Sequence, residues 1–315
     1  MLQSKPARTG KRRTRFAAAA TSTALVAGVG GLVLAGAPAA NAANVNLDKR
    51  FNYTCKVDAG ALPLGNHVLG VRAQVQVPSV VNRNQTLPTR KTTITLTLPE
   101  TLREATYDIL RGRTAGGESK DAKVSLSAPG SSTLTVGIAN LRAAQAAVPA
   151  TAGAPWNIAT VGDVPAIKVP ATAHTRASFS MPAAFSIAAT VINVDDVRIG
   201  VTLACKTAGS RVIGSVAINK NASKVAAKVS PKKIKAKKTK AKIAVTVSAG
   251  SPKASGKVTA KIGKKTVGKG TVKNGKATIK LKKFKKKGTY KIKVTYGGSA
   301  YAKGSTKTIK VKVRK

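Results

Sequence analysis

The sequence predicts an all-β protein built from two β-sandwich domains. Aromatic residues make up only 3% of the 315 residues, while valine, alanine, threonine and isoleucine are plentiful. Small β-branched side chains favour strands over a helical bundle. Glycine, proline, serine and asparagine recur about every 8–12 residues, which is the turn spacing of an all-β sandwich. The chain is long enough for two domains of ordinary size.

Residues 1–42 are predicted to be a secretory signal peptide. Residues 1–16 carry six basic residues and no acid, an apolar run of small residues follows, and Ala40-Asn41-Ala42 is a cleavage site of the A-x-A type. Cleavage is expected between Ala42 and Ala43. A membrane anchor is the alternative, but the proline and glycines of the run argue against it. Because Phe16 stands one position too late for the twin-arginine motif, the general secretion route is favoured.

Nothing later in the sequence predicts an anchor. No second apolar stretch reaches the ~18 residues that a spanning helix needs. The chain ends in Lys-Val-Arg-Lys, with neither an apolar tail nor a sorting motif. We therefore expect a secreted protein, extracellular or associated with the cell wall, with no transmembrane segment in the mature chain.

The two cysteines, Cys55 and Cys205, are expected to form a disulfide bond, because lone cysteines in an exported protein usually pair. The bridge would close a long loop, for which chain entropy gives an upper figure of about 5 kcal/mol. Two buried free thiols are the alternative. A metal site is not expected, since the two cysteines and the distant His67 and His174 match no ligand spacing.

Charge divides the chain into two parts. All ten acidic residues lie between Asp48 and Asp196, and residues 43–210 hold 17 lysines and arginines. Residues 211–315 hold 33 lysines and arginines and no acid. So sharp a shift in composition predicts a domain boundary, either near Ala208–Ser210 or within Asn219–Lys224. The expected domains are a disulfide-tied β-sandwich over 43–208, a linker over 209–223 and a lysine-rich domain over 224–315.

The lysine-rich part is patterned as strands rather than as a disordered tail. Apolar and polar residues alternate in five runs, at 241–247, 257–262, 277–282, 290–296 and 308–313. A period of two places the apolar side chains on one face of each strand and the lysines on the other. Asn274-Gly275 predicts a type I′ hairpin turn, and Gly263 marks another turn. Five or six such strands close most economically as two packed sheets.

This part resembles the bacterial immunoglobulin-like repeat of secreted and surface proteins. That family has a strand G-x-A-T-L followed by G-x-H-x-I-x-A-x-Y-x-G-D-x-x-Y-x-x-S. The chain has GKATIKL and GTYKIKVTYGG, and then Tyr301 and Ser305 at the corresponding places. It departs from the family at Tyr290, in place of histidine, and at Gly298, in place of an acid. The resemblance covers residues 224–315 and implies an immunoglobulin-like spacer or adhesive module without catalytic residues.

The sequence of the N-terminal part also predicts strands, together with one short helix. Strands are predicted over 51–57, 68–81, 92–98, 122–127, 133–138, 186–194 and 197–205. The helix is predicted to begin after Pro99, with acids in its first turn where they suit the helix dipole, and to extend to Leu110.

Residues 47–207 resemble an uncharacterised domain of actinobacterial secreted proteins. In that family a strand with Y-x-C opens the domain, a proline-ended strand and a short helix follow, and a second cysteine closes it. Tyr53-Thr54-Cys55 and Leu203-Ala204-Cys205 stand at those places here. The resemblance implies a β-sandwich tied by one disulfide between its first and last strands, and no known activity.

The sequence offers no catalytic constellation around its histidines or hydroxyls. His67 and His174 have no nearby serine or cysteine motif, and no serine lies in a G-x-S-x-G context. Asp195-Asp196 is the one acidic pair in sequence. It is expected to flank a turn rather than to bind a metal, since neighbours in a strand point to opposite faces.

Two further candidates are also read as structural. Glu100 and Glu104 lie four residues apart on the predicted helix and are expected to be solvated charges rather than an acid/base pair. Trp156 is expected to pack in the core rather than to stack on a sugar ring. The sequence therefore predicts that the protein is not an enzyme and needs no cofactor.

The remaining signal is the lysine surface, where two clusters are candidates for contact with a polyanion. The first is Lys232, Lys233, Lys235, Lys237, Lys238 and Lys240, and the second is Lys282, Lys283, Lys285, Lys286 and Lys287. The second is expected to occupy a connection between two strands. Lysine suits diffuse, salt-sensitive attraction, whereas arginine forks give bidentate recognition. Because arginines and aromatics are scarce among these lysines, sequence-specific recognition of nucleic acid is not expected.

Two functions from different classes fit these features. The first is a non-catalytic secreted protein of the cell envelope or of adhesion, whose basic module attracts anionic wall polymers or other polyanions. The alternative is that the N-terminal domain binds a specific carbohydrate or protein and the C-terminal domain is a spacer. Lysine that serves solubility alone is a third interpretation, but 33 cations without one acid exceed that need.

Overall fold

The structure, a computed structural model, describes residues 43–315. The predicted signal peptide, including Ala42 of its cleavage site, lies outside the described residues. Strands are the predominant secondary structure of the described chain, which has a single short helical segment near residue 100. The all-β prediction is therefore confirmed.

The N-terminal part holds fifteen strands within residues 43–218. They are β1 (Asn44–Ala59), β2 (Leu62–Pro78), β3 (Val80–Val81), β4 (Thr86–Leu87), β5 (Arg90–Leu98), β6 (Gly112–Glu118), β7 (Lys123–Ser127), β8 (Leu134–Gly137), β9 (Ala139–Ala147), β10 (Trp156–Val164), β11 (Ile167–Lys168), β12 (Arg176–Ser180), β13 (Ala184–Asn193), β14 (Arg198–Lys206) and β15 (Val212–Ile218). The helix α1 (Glu100–Glu104) continues into a π-helical turn (Ala105–Ile109), as predicted for one short helix after Pro99.

Eight of these strands form one sheet that closes on itself, which we call the closed sheet. Its order is β1-β14-β13-β6-β9-β10-β5-β2, and β2 pairs back onto β1. A second sheet has the order β3-β15-β12-β7-β8, and β11 pairs with β4. The sequence predicted a disulfide-tied β-sandwich for this part but not the closure of its main sheet, which leaves that sheet without a free edge.

Alternate side chains of each strand point into the closed sheet and form its core. On β1, Tyr53, Cys55 and Val57 are buried while the residues between them are exposed. On β5, Thr92, Ile94 and Leu96 are buried in the same rhythm. Because successive side chains point to opposite faces, one face of each strand supplies the core and the other meets solvent.

The disulfide bond between Cys55 and Cys205 is present, as the sequence predicted. The two residues lie directly opposite each other on β1 and β14, with their Cα atoms 3.9 Å apart. The alternative of two free thiols is therefore wrong. The bridge joins the first strand of the closed sheet to the last one in sequence.

The segment 209–223 differs from the linker that composition suggested. Over Val212–Ile218 it forms β15, which pairs with β12 and β3 in the five-stranded sheet. The physical reason is that Ile213, Val216 and Ile218 are buried in the N-terminal core. The connection to the C-terminal part is therefore short, and Asn219 still donates its main-chain N–H to the carbonyl oxygen of Val81.

The C-terminal part holds eight strands, where five or six were predicted. They are β16 (Lys224–Ser230), β17 (Ile234–Lys235), β18 (Lys242–Ser248), β19 (Gly256–Ile262), β20 (Lys265–Val272), β21 (Lys276–Lys280), β22 (Gly288–Tyr296) and β23 (Ser305–Arg314). One sheet has the order β16-β18-β21 and the other β17-β23-β22-β19-β20. At the predicted hairpin turn, φ is 48° at Asn274 and 80° at Gly275, the two positive values that a type I′ turn requires.

Candidate polyanion-binding surface

The first lysine cluster lies on the connection between β16 and β18, and short-range bonds order this connection. Ile234, only 1% exposed, anchors it in the core, and β17 pairs with the end of β23. The main-chain N–H of Lys235 donates to Oγ1 of Thr239 over 2.9 Å. The N–H of Ala236 donates to the carbonyl oxygen of Arg314 over 3.0 Å. The lysines thus project from a fixed backbone.

The second cluster lies between β21 and β22, as predicted for a connection between two strands. Phe284 stands in the middle of this run of lysines and is buried, at 6% exposed. Its ring centroid lies 4.8 Å from that of Tyr290. Tyr290 in turn donates its hydroxyl to the carbonyl oxygen of Lys286 over 2.8 Å. The single aromatic residue in KKFKKK was the sequence signal for this anchor, and our reading of the sequence missed its role.

The two loops meet at one end of the sandwich. The main-chain N–H of Lys237 donates to the carbonyl oxygen of Phe284 over 2.7 Å, and the N–H of Leu281 donates to the carbonyl oxygen of Ala241 over 2.9 Å. We call this surface the polybasic end and define it by the lysines of the two clusters. They are Lys232, Lys233, Lys235, Lys237, Lys238, Lys240, Lys282, Lys283, Lys285, Lys286 and Lys287.

Every lysine of the polybasic end is exposed, and so is every other lysine and arginine of residues 211–315. The ion pairs found within residues 43–315 all join side chains between Asp48 and Asp195. The cations of the C-terminal part therefore have no internal counter-charge in the described chain. A surface of one sign produces a positive potential that attracts anions from solution and falls with added salt.

The opposite end of the same sandwich contacts the N-terminal part, and we call it the joint end. There Arg83 donates to the carbonyl oxygen of Tyr301 over 2.9 Å, with its guanidinium 5.6 Å from the centre of the tyrosine ring. The ring of His174 meets the same tyrosine edge-on at 4.9 Å. Asn221 accepts at its carbonyl oxygen from Lys303 and donates its side-chain amide to Ala249. The polybasic end thus lies at the end of the sandwich away from this contact.

The two histidines are not brought together, and each ring contacts the hydroxyl of a different threonine. His67 is buried, with Nδ1 3.0 Å from the hydroxyl of Thr101 and Nε2 3.0 Å from the carbonyl oxygen of Leu64. His174 takes part in the joint end. Among residues 43–315, no group of three or more His, Cys, Asp or Glu side chains is arranged to hold a metal ion.

The acidic candidates have structural partners. Asp195-Asp196 lies in the turn between β13 and β14, and Asp195 pairs with Arg111 at 3.1 Å. Glu100 accepts from the buried Arg103 over 2.7 Å, and this hydrogen bond holds the pKa of Glu100 below its ordinary value. Glu104 is exposed. Asp195-Asp196 is therefore part of a turn, and Glu100 and Glu104 are charged residues of the helix.

An acidic group that our reading of the sequence passed over is Asp121. Burial raises its pKa, but hydrogen bonds from the main-chain N–H and hydroxyl of Ser186 and from the hydroxyl of Ser119 outweigh burial and lower it. The hydroxyl of Ser186 lies 2.7 Å from the carboxylate. Asp121 thus joins the start of β13 to the segment before β7, and a lone aspartate gives no sequence signal for such a role.

Trp156 packs in the core, with 5% of its surface exposed. Its place at the start of β10, opposite Leu98, puts the ring inside the closed sheet, where a polysaccharide has no access to its face. In the part of the chain that the structure describes, no helix is long and apolar enough to cross a membrane.

Two family models match the chain. Residues 52–214 match the family of unknown function DUF6801, and residues 227–314 match the bacterial Ig-like domain (group 3). The predicted resemblance of the C-terminal part to a bacterial immunoglobulin-like repeat is confirmed, as is the placement of the N-terminal part in a domain without a known function. No curated protein matches the chain significantly.

Solved structures show only a weak likeness. The crystal structure of Ruminococcus gnavus β-glucuronidase shares 12% identity over 87% of this chain and 46% of its own, with a TM-score of 0.21. The BSP domain of a biofilm associated protein shares 10% identity over 88% of this chain and 53% of its own, with a TM-score of 0.25. The chain spans about half the length of the solved structures it matches. Likeness at this level carries no argument about function.

Proposed function

The chain belongs to the family of unknown function DUF6801, and from that premise we propose that it is a non-catalytic secreted protein of the cell envelope. In this proposal the bacterial Ig-like domain attracts anionic wall polymers or other polyanions through its polybasic end. The N-terminal domain is then the part that is held or displayed at the envelope. The observation that carries the proposal is the contact between the two lysine loops.

That contact supports one continuous surface. The bond from Lys237 to Phe284 brings eleven lysines, which the sequence separates into two runs, onto the same end of one rigid sandwich. A long anion that reaches either loop is then within range of both. Each phosphate or carboxylate that is neutralised releases counterions, so that affinity grows with the number of contacts and decreases with salt.

The choice of lysine supports recognition of a class of polymer rather than of a sequence. Lysine offers a hydrated point charge on a flexible stem, whereas arginine offers a planar fork for bidentate contacts. Each lysine of the polybasic end is exposed, and the aromatic residues of this end, Phe284 and Tyr290, pack against each other. Stacking platforms for bases or sugars are thus not part of the surface.

The disulfide supports the expected compartment. Structural disulfides persist in oxidising surroundings and are rare where thiols are kept reduced. Cys55 and Cys205 are paired, and the predicted signal peptide would deliver the chain to such surroundings. Secretion and retention at the wall together form the localisation that we propose.

The alternative is that the N-terminal domain binds a specific carbohydrate, and its candidate residue for stacking on a sugar ring is Trp156. Trp156 is 5% exposed and turned into the closed sheet, so that its ring offers no face to a surface polysaccharide. A protein ligand for this domain stays a prediction of the sequence.

The test uses isolated cell walls that carry teichoic-type polymers and the same walls after chemical removal of those polymers. The purified protein should bind the intact walls at low salt and leave them well below ~1 M salt, where the Debye length is about 3 Å. Walls without the polymer should retain little protein. Retention at ~1 M salt, or equal binding to both walls, would contradict the proposal.

A further inference from the structure

The sheet β17-β23-β22-β19-β20 of the Ig-like domain turns one face to solvent, and its cations form a pattern across the strands. In β22, Lys291 and Lys293 are exposed on either side of the buried Ile292. In β23, Lys310 and Lys312 are exposed in the same alternation. Because successive side chains of a strand point to opposite faces, these four lysines all lie on the solvent-facing side of the sheet.

The register of the strands joins five lysines of this face into one diagonal row. Lys310 of β23 lies directly opposite Lys291 of β22, and Lys293 of β22 lies directly opposite Lys261 of β19. Residues i and i+2 of a strand are about 6.6 Å apart, and neighbouring strands are about 4.8 Å apart. We call this row the lysine band, and its members are Lys312, Lys310, Lys291, Lys293 and Lys261.

Threonines border the lysine band on both sides. Lys312 has Thr289 opposite it, and Lys293 has Thr308 opposite it on the strand that does not carry its lysine partner. Thr266 of β20 likewise lies opposite Lys261.

A row of three threonines lies across the face on the side of the joint end. Thr295 of β22 pairs with Thr306 of β23 and with Thr259 of β19. The cations therefore follow a path across this part of the face instead of covering it evenly.

The lysine band begins at the polybasic end. Arg314 follows Lys312 on the same face of β23, and Lys235 of β17 lies opposite Arg314. Lys235 is a member of the first lysine cluster. The path from Lys235 to Lys261 is about 35 Å long, and its cations follow one another at about 5–7 Å.

Two pairs of like charge lie directly opposite each other in the lysine band. Like charges at such positions destabilise a sheet, and residues 211–315 contain no acid that could offset them. Solubility and strand propensity account for lysine and threonine on a solvent-facing sheet. They do not account for lysine opposite lysine where threonine occupies the neighbouring positions. An anion placed over both members of a pair would remove the repulsion.

We propose that the lysine band binds a single linear polyanion that leaves the polybasic end and crosses the sheet as far as Lys261. This inference rests on the proposed function and specifies its partner, which is an unbranched, flexible polymer with a charge on each repeat. Such a chain can place successive charges over successive lysines. The hydroxyls of the bordering threonines can donate to its oxygen atoms. A short anion would be accommodated by the polybasic end alone.

The test measures the salt dependence of binding of the full-length mature protein to inorganic polyphosphate of two lengths. The short chain is no longer than the polybasic end, and the long chain exceeds the length of the lysine band severalfold. The band variant carries Lys261→Gln, Lys291→Gln and Lys310→Gln. With about 0.7 counterions released per contact, the slope of log K against log salt should decrease in magnitude by up to about 2 for the long chain. It should stay nearly unchanged for the short chain.

The matched control carries Lys224→Gln, Lys228→Gln and Lys276→Gln, which remove three exposed lysines from the outward face of the other sheet. It loses the same charge as the band variant and should change neither slope by more than about 1. The band variant should also have a higher Tm than this control at low salt, because both pairs of opposed lysines are removed.

The inference is overturned if the band variant and the control give equal slopes with the long chain. It is also overturned if the band variant lowers the slope equally for both chain lengths, because the lysine band would then not extend the site. Failure of the proposed function is a different result. In that case, replacement of Lys237, Lys238, Lys285 and Lys286 by glutamine leaves the slope for the short chain unchanged.

Discussion

The main-chain N–H of Lys237 lies 2.7 Å from the carbonyl oxygen of Phe284, and this hydrogen bond joins the two lysine-rich loops of the Ig-like domain. Phe284 holds its loop in the core, and Ile234 does the same for the partner loop. Two apolar anchors thus fix a surface made almost wholly of cations. The proposed function depends on this arrangement, because diffuse charge becomes a local surface only where the backbone is ordered.

We expect Phe284→Leu to lower both stability and polyanion affinity. The smaller side chain leaves a cavity in the core, and large-to-small core substitutions of this kind cost on the order of 1–3 kcal/mol in free energy of unfolding. The loop loses part of its anchor, so that its lysines no longer hold their positions beside the other loop. Urea unfolding measures the first effect, and titration with polyphosphate measures the second.

The matched control is Tyr290→Phe, which removes only the hydroxyl that donates to Lys286. It should cost about 1 kcal/mol, the net value of an ordinary hydrogen bond, and leave affinity almost intact. An equal loss of affinity in both variants would show that the anchor at Phe284 has no special role.

Removal of the disulfide should destabilise the N-terminal domain selectively. The bridge spans a sequence separation of 150 residues, and native disulfides that close long loops typically contribute about 2–5 kcal/mol. In the double variant Cys55→Ala and Cys205→Ala, unfolding followed by Trp156 emission should shift to lower urea. The unfolding of the Ig-like domain, followed by amide hydrogen exchange in β22 and β23, should not move. A parallel shift of both signals would mean that the two parts unfold as one unit.

Moderate salt should stabilise the Ig-like domain more than the N-terminal domain. The Ig-like part has no acidic side chain to offset its lysines, so that the folded state concentrates like charges. Raising salt from 0.01 to 0.15 M shortens the Debye length from about 30 to about 8 Å and screens this repulsion. Calorimetry should therefore show a higher Tm for the Ig-like domain in added salt, and an unchanged or lower Tm would contradict the expectation.

Acid should weaken the N-terminal domain while leaving the charge of the Ig-like domain nearly constant. Hydrogen bonds from Ser186 and Ser119 hold the pKa of Asp121 below 3.8 against the opposing effect of burial. A depressed pKa contributes stability that is present above the unfolded value of about 3.9 and is lost as the pH falls through the lower folded value. The urea concentration at the midpoint of unfolding, followed by Trp156 emission, should therefore decrease when the pH is lowered below about 4. Asp121→Asn should make this midpoint less dependent on pH.

The strands of the Ig-like domain were predictable because one face of each is buried and the other solvated. In β22, Ile292 and Val294 are buried while Lys291 and Lys293 are exposed, so that period two is visible in the sequence. The type I′ turn at Asn274-Gly275 was equally readable, since few residues other than glycine and asparagine adopt positive φ there.

Several strands of the closed sheet were not predictable, because the close approach of neighbouring atoms at certain interior positions admits only glycine. In β10, the residue facing inward at position 162 is glycine, and an added Cβ would lie 2.6 Å from Cγ2 of Ile138. The outward residue beside it, Val161, is exposed. The apolar pattern is thus inverted at this point. In β6, an added Cβ at Gly117 would lie 2.7 Å from the carbonyl oxygen of Ala188. This position therefore requires glycine, and a glycine-rich strand has the composition of a loop in the sequence.

The lysine clusters themselves were visible in sequence, but their meeting was not. It depends on the pairing of Lys242 with Lys280 across β18 and β21, which brings the ends of the two loops together. Such long-range register follows from the packing of both sheets. Among residues 43–315, Nε of Arg90 and Nε1 of Trp156 are buried without a hydrogen-bond partner, and the sequence could not show this because the partners of a polar group depend on the folded chain.

The central claim is that the polybasic end is a localised anion-binding surface, and the salt dependence of polyphosphate binding tests it most directly. One variant replaces Lys237, Lys238, Lys285 and Lys286 by glutamine. The matched control replaces four exposed lysines at the strand ends and loops on the joint-end side of the sandwich, and these are Lys224, Lys253, Lys276 and Lys303. Both variants lose the same charge, so that any difference between them arises from position.

With about 0.7 counterions released per contact on a flexible polyanion, the slope of log K against log salt should decrease in magnitude by up to about 3 in the polybasic-end variant. The joint-end variant should change it by less than about 1. Equal slopes for the two variants would contradict a localised surface and would leave only the general charge of the domain.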